Sequence, residues 1–232
     1  MSYFSAKEFS MKKLIPLALL IIIISSCKPD SKQSAEPPLT TVEKIAKEAG
    51  FESWDSISQV KFTFEVGKAG RALYQRHWLW DKKTNNVTLK TKTDTVTYNR
   101  NLAMDSIQKS ADRAFVNDVY WLIPEFKFTT DQGTEIIEKA DAVAPISKDT
   151  LDMFTIIYGG DGGYTPGDAY DVYYDKDYKL KEWAYRQGND TTVYMMTTFE
   201  KFETYNGVTI AKDHRTPERM TRIYLRNIEF TK

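Results

Sequence analysis

Val60-Lys61-Phe62-Thr63-Phe64-Glu65-Val66, then Gly67-Lys68-Ala69-Gly70, then Leu73-Tyr74-Gln75-Arg76-His77-Trp78-Leu79-Trp80: the fold of this chain is decided here. Val60, Phe62, Phe64 and Val66 alternate with Lys61, Thr63 and Glu65, the period of two that a half-buried strand shows. The stretch 67–70 supplies a turn. In the next strand Tyr74, Arg76, Trp78 and Trp80 share one face, because alternate side chains point the same way. An unpaired arginine on a sealed face would be costly. Arg76 therefore either meets an acid or stands where that face opens to solvent or ligand.

Downstream, residues 82–86 turn again, and Val87, Leu89, Thr91, Val96 and Tyr98 continue a meander. Residues 105–121 then change period. Ile107, Ala111, Ala114, Phe115, Asp118, Val119 and Leu122 recur at intervals of three and four, which predicts a helix lying across the sheet and ending before Pro124. Residues 125–149 read as loop. Strands resume over 152–157, 169–174, 180–186, 192–198, 208–213 and 220–230, punctuated by glycine- and Asx-rich turns. Upstream, Thr41 is placed to cap a short helix whose Val42, Ile45, Ala46 and Ala49 share a face. Gly50 stops that helix, and Phe51 and Trp54 close it over the domain. The expected class is mainly β (α+β): a curved antiparallel sheet forming a half-open barrel, a helix packed across it, and a short N-terminal helix.

Lysine plus arginine and aspartate plus glutamate each number 32. A neutral, mixed-sign chain argues against a nucleic-acid surface. Phe 12, Tyr 14 and Trp 5 are many for a chain of this length and suit β structure with large apolar surfaces. Met11-Lys12-Lys13 followed by the apolar run 14–24 has the parts of a secretory signal, with translation expected from Met11. The run falls short of the roughly 20 apolar residues that span a bilayer. Ile24-Ser25-Ser26-Cys27, which holds the only cysteine, resembles a bacterial lipobox. That resemblance implies a signal peptide over 1–26, cleavage before Cys27, and palmitate-type acylation of Cys27 strong enough for stable anchoring. Lys28 in place of an aspartate resembles the pattern of lipoproteins that move on to the outer membrane. Residues 27–40 read as the acylated cysteine and a disordered, Pro-rich tether, and 41–232 as a single half-barrel domain facing the periplasm, with surface exposure as the alternative.

From about residue 42 to 215 the chain resembles a family of Gram-negative outer-membrane lipoproteins whose domain is similar in kind to the LolA-like and LolB-like carriers of lipoprotein sorting. The resemblance rests on Gly50-Phe51-Glu52-Ser53-Trp54, on Tyr120-Trp121-Leu122-Ile123-Pro124, and on the stretch 159–168 ending Tyr164-Thr165-Pro166-Gly167-Asp168. Tyr173-Tyr174-Asp175, Leu180-Lys181-Glu182-Trp183 and Asn206-Gly207-Val208 complete it. It implies a half-open barrel with a helical lid and an apolar cavity.

The residues themselves carry little chemistry. His77 and His214 stand alone, without a second histidine or a cysteine at ligand spacing, so no metal and no cofactor is expected. Gly159, Gly160, Asp161, Gly162 and Gly163 lack the lysine and hydroxyl of a phosphate loop. They read as a turn between strands, or as a mobile rim loop over a pocket. Asp175 and Asp177 read as a charged hairpin turn, since the calcium-loop spacing is absent. The aromatic hairpin contributes Phe62, Phe64, Tyr74, Arg76, Trp78 and Trp80 as candidates to line a cavity, beneath Phe115, Val119 and Leu122 of the helix. The expected function is non-enzymatic binding of an apolar ligand, a lipid or a lipidated partner by a membrane-anchored domain. The alternatives are a structural or assembly lipoprotein contacting envelope proteins, and a hydrolase with an unrecognised carboxylate site.

Overall fold

The computed structural model describes residues 37–160 and 165–232. The expected signal, Cys27 and most of the tether lie outside the described residues, as do Asp161, Gly162 and Gly163 of the expected rim loop. Residues Pro38–Lys232 pack as one unit.

The chain opens with α1 (Thr41–Glu48) and the one-turn α2 (Phe51–Trp54). The cap of α1 is Thr40 rather than the expected Thr41. Its hydroxyl accepts from the Glu43 amide while the Glu43 carboxylate accepts from the Thr40 amide at 2.7 Å, a reciprocal pair that satisfies two helix-end donors. Gly50 follows with φ 88°. A Cβ there would overlap the carbonyl oxygen of Gly207, so the glycine serves the close approach as well as the helix stop.

A meander follows: β1 (Gln59–Lys68), β2 (Arg71–Asp81), β3 (Asn86–Lys90) and β4 (Thr95–Asn99). Ala69 and Gly70, at φ 48° and 79°, give the β1–β2 turn the left-handed pair that two-residue hairpins require. α3 (Ser106–Leu122) is capped by Asp105, whose carboxylate takes the Gln108 amide at 2.8 Å. It ends before Pro124 as expected, but Pro124 begins another helix, α4 (Pro124–Thr130). Proline suits a first helical position because its missing N–H would have had no partner there. The second sheet is β5 (Thr134–Val143), β6 (Thr150–Tyr158), β7 (Ala169–Tyr174), β8 (Leu180–Arg186) and β9 (Met195–Thr198). β10 (Glu200–Tyr205), β11 (Val208–Arg215) and β12 (Thr221–Thr231) return to the first.

The seven-stranded sheet has the order β10-β11-β12-β1-β2-β3-β4 and the five-stranded sheet β5-β6-β7-β8-β9, every ladder antiparallel. Only Phe199 separates β9 from β10. It is buried, and its amide donates to Lys181 at 2.8 Å. The Arg215 amide of β11 reaches the Thr198 hydroxyl at 3.2 Å, so the two sheets meet at this corner. Among the described residues no ladder joins β4 to β5, and the curved assembly stays half open. The expected mainly β, half-open architecture is the one observed.

Two parts of the stretch expected to be loop, α4 and β5, are regular elements. β5 is an edge strand whose side chains, Ala142 apart, are exposed or half exposed, so it carries no hydrophobic alternation to read. β10, also an edge, escaped the reading for the same reason. Ile107, expected on the packed face of α3, is exposed. Inside, Phe62, Phe64, Trp78, Phe115 and Leu122 are all fully buried in one core. Trp78 and Trp80 meet Phe115 edge-on at 5.3 and 5.4 Å. Burying each such side chain is worth about 1.5–3 kcal/mol.

Candidate functional site

The register of β1 against β2 places Val60 beside Trp80, Phe62 beside Trp78, Phe64 beside Arg76 and Val66 beside Tyr74. All eight side chains share the face on which α3 lies. Along β2 that face changes character. Tyr74 is 47% exposed, Arg76 half-buried, Trp78 1% exposed and Trp80 half-buried.

Arg76 meets an acid. Its Nε donates to Asp118 Oδ2 at 2.7 Å and a terminal guanidinium nitrogen donates to Oδ1 at 2.6 Å. Trp78 Nε1 also donates to Oδ2, at 2.7 Å, and Asn117 Nδ2 to Oδ1 at 2.9 Å. Desolvation pushes the fully buried Asp118 carboxyl up, while these donors pull it back. The acid inside the apolar stripe of α3 thus fastens the helix to the strand below it.

Beyond Trp80 the packing opens into a cavity of about 320 Å³ between α2, α3, α4 and β2. Trp80, Phe115 and Val119, three of the nine residues expected to line a cavity, are placed at its wall. Phe62, Phe64, Trp78 and Leu122 are core residues away from it, and Tyr74 and Arg76 border a separate surface recess. The other walls are Phe51, Trp54, Ile123 and Phe126. The rings interlock, with Trp54–Phe126 at 5.5 Å, Trp54–Trp80 at 6.0 Å and Phe51–Phe126 at 5.2 Å. Phe51 and Trp54 were legible only as closing groups, and Phe126 lay in the stretch read as loop.

Arg100 and Lys127 stand at the rim, each already ion-paired. Arg100 lies 5.3 Å from the Phe115 ring centre and donates to Asp112 at 2.8 Å. Lys127 reaches Asp131 at 2.9 Å. Lys82 sits 3.9 Å over the Trp54 ring, its pKa lowered by burial. Asp55 is the acidic group among the lining residues. The indole N–H of Trp80 is buried and has no acceptor among the described residues. An unmet donor of this kind costs about 1–3 kcal/mol.

Neither histidine belongs to this pocket. His77 Nδ1 lies 2.8 Å from the Thr63 hydroxyl on the opposite face of the hairpin. His214 is buried between Trp121 and Phe199, at 5.1 and 4.9 Å, with Nδ1 3.1 Å from the Thr198 carbonyl. Burial pushes its pKa down to about 4, so it is neutral. Asp175 Oδ1 accepts the amides of Asp177 and Lys179, both at 3.0 Å, within the β7–β8 turn. Among the described residues no three His, Cys, Asp or Glu side chains are grouped to hold a metal ion. None of the described helices is long and apolar enough to cross a membrane.

Fold and site together define a mainly β, half-open curved-sheet domain with a helical cover and a small aromatic pocket beneath it. No family model matches the chain, and no curated protein does. Among the solved structures that match are these two. One is a LolA superfamily protein from Nitrosomonas europaea, 8% identical, covering 84% of this chain and 95% of that one at a TM-score of 0.47. The other is a DUF1329 family protein from Desulfovibrio piger, 8% identical, covering 82% and 91% at a TM-score of 0.43.

Proposed function

We propose that this is a non-enzymatic envelope lipoprotein domain that holds the apolar chain of an anionic amphiphile, a fatty acid or the acyl group of a lipid or lipidated partner. The observation that carries the reading is the pocket walled by Trp54, Trp80, Phe115 and Phe126 with Arg100 and Lys127 at its rim. Aromatic walls favour hydrocarbon, and a ligand's carboxylate or phosphate at the entrance would compete with Asp112 and Asp131 for Arg100 and Lys127. Anchoring through acylated Cys27 in the outer membrane belongs to the same proposal. Replacing Cys27 by Ala should abolish incorporation of labelled palmitate, and label persisting in the variant would remove the anchor. Native mass spectrometry of the chain released gently from membranes should show one co-purified amphiphile.

A purely structural role in an envelope assembly is the second reading. It is favoured by the edge strand β5, where Ile137 and Val143 are 49% and 63% exposed. Unpaired edge strands are templates for pairing with another chain. Under this reading native mass spectrometry would show apo chain, and crosslinks from β5 would reach a partner.

A further inference from the structure

A second cavity, about 430 Å³, lies where α1, the start of α4 and the β7–β8 turn meet β10 and β11. Glu125 lines it. The residue is only 4% exposed, and no other residue hydrogen-bonds or ion-pairs its carboxyl among the described residues. Most buried carboxylates are paired, because an isolated one is expensive to keep out of water. We propose that this cavity is a binding site for a small organic ammonium group, with Glu125 as its counter-ion.

Two observations favour an organic cation. Glu48 and Asp177 also line the cavity, against a single lining lysine, Lys179. That lysine places its ammonium 4.1 Å from the ring centre of Phe202, so the aromatic wall already takes a cation in the expected geometry. Burial raises the Glu125 pKa to about 7, with only its own backbone amide favouring the ionised form. Ammonium binding therefore releases a proton below neutrality and strengthens as pH rises through about 7. The site is independent of the acyl pocket.

The test is calorimetric titration of the full-length lipoprotein in nanodiscs with n-butylammonium, beside its neutral isostere n-butanol. Glu125→Gln keeps the shape of the side chain and removes the charge, and its melting curve checks the fold. Wild type should bind butylammonium saturably at pH 8 and at least tenfold more weakly at pH 5.5. E125Q should lose tenfold or more at pH 8 and lose the pH dependence with it. That loss separates Glu125 from Glu48, Asp177, Lys179 and Lys44, the last of which reaches the Tyr178 hydroxyl at 3.2 Å. The pKa of a selectively ¹³C-labelled Glu125 carboxyl should fall when butylammonium is added. Equal binding by folded E125Q, no saturable binding by wild type, or an unmoved Glu125 pKa would each overturn the proposal.

Discussion

Asp118 of α3 receives Arg76 of β2 through two hydrogen bonds, 2.7 and 2.6 Å long, inside a stripe of otherwise apolar contacts. The acid is fully buried and the arginine partly so. Removing one partner of such a pair leaves an uncompensated charge, which costs about 3–5 kcal/mol. Because Arg76 keeps some contact with water, R76A should fall at the lower end, near 3 kcal/mol by urea denaturation. The double variant R76M/D118L should recover only part of that loss, because the buried Trp78 N–H then lacks its acceptor. A cost below about 1 kcal/mol for R76A would mean that the pair does not hold the helix down.

The Gly50–Gly207 approach makes a second prediction. G50A requires φ near 88° from a residue with a Cβ and pushes that Cβ into the Gly207 carbonyl. Strain of about 1–3 kcal/mol from the backbone alone, with the overlap added, should lower Tm by many degrees. G160A, with open space around its position, is the control and should leave Tm nearly unchanged.

Two buried titratable groups oppose each other in acid. Glu125 is held at about 7 in the folded chain, above its ordinary 4.5. The stability it contributes is full below about pH 4.5 and is lost as pH rises through 7. His214 is held at about 4, below its ordinary 6.5. Its contribution is full above about pH 6.5 and declines as pH falls toward 4. Each unit of displacement corresponds to about 1.4 kcal/mol. The stability of E125Q minus that of wild type should therefore climb by about 3 kcal/mol between pH 4.5 and 7. For H214Q minus wild type, the difference should climb as pH falls from 6.5 to 4. A difference flat with pH would contradict the corresponding burial.

The legible parts of the fold are those where one face is dry and the other wet. β1 and β2 announce themselves by alternation, and α3 by its three-and-four spacing, because burial is one-sided there. Alternation in β2 singled out Trp80, and the spacing in α3 singled out Phe115 and Val119, which border the pocket. Neither pattern could separate them from Phe62, Phe64 and Trp78, since core and cavity walls share one pattern and differ only in where α3 comes to rest. β5 and β10 lie at edges and bury too little to show a period. Phe126 was hidden by Pro124, which stops one helix and starts the next. Glu125 is invisible in sequence because nothing in its neighbours signals that a carboxylate there will be enclosed.

The acyl pocket is tested most directly by titrating dodecanoate into the chain while following tryptophan emission, in wild type, in W80F and in W78F. Trp80 lines the pocket, whereas Trp78 is sealed in the core and tied to Asp118. A saturable change with one ligand per chain is expected in wild type and in W78F, and a smaller one in W80F with the fold retained, because Trp54 also lines the pocket. No saturable response in wild type, or an undiminished one in W80F, would contradict the pocket.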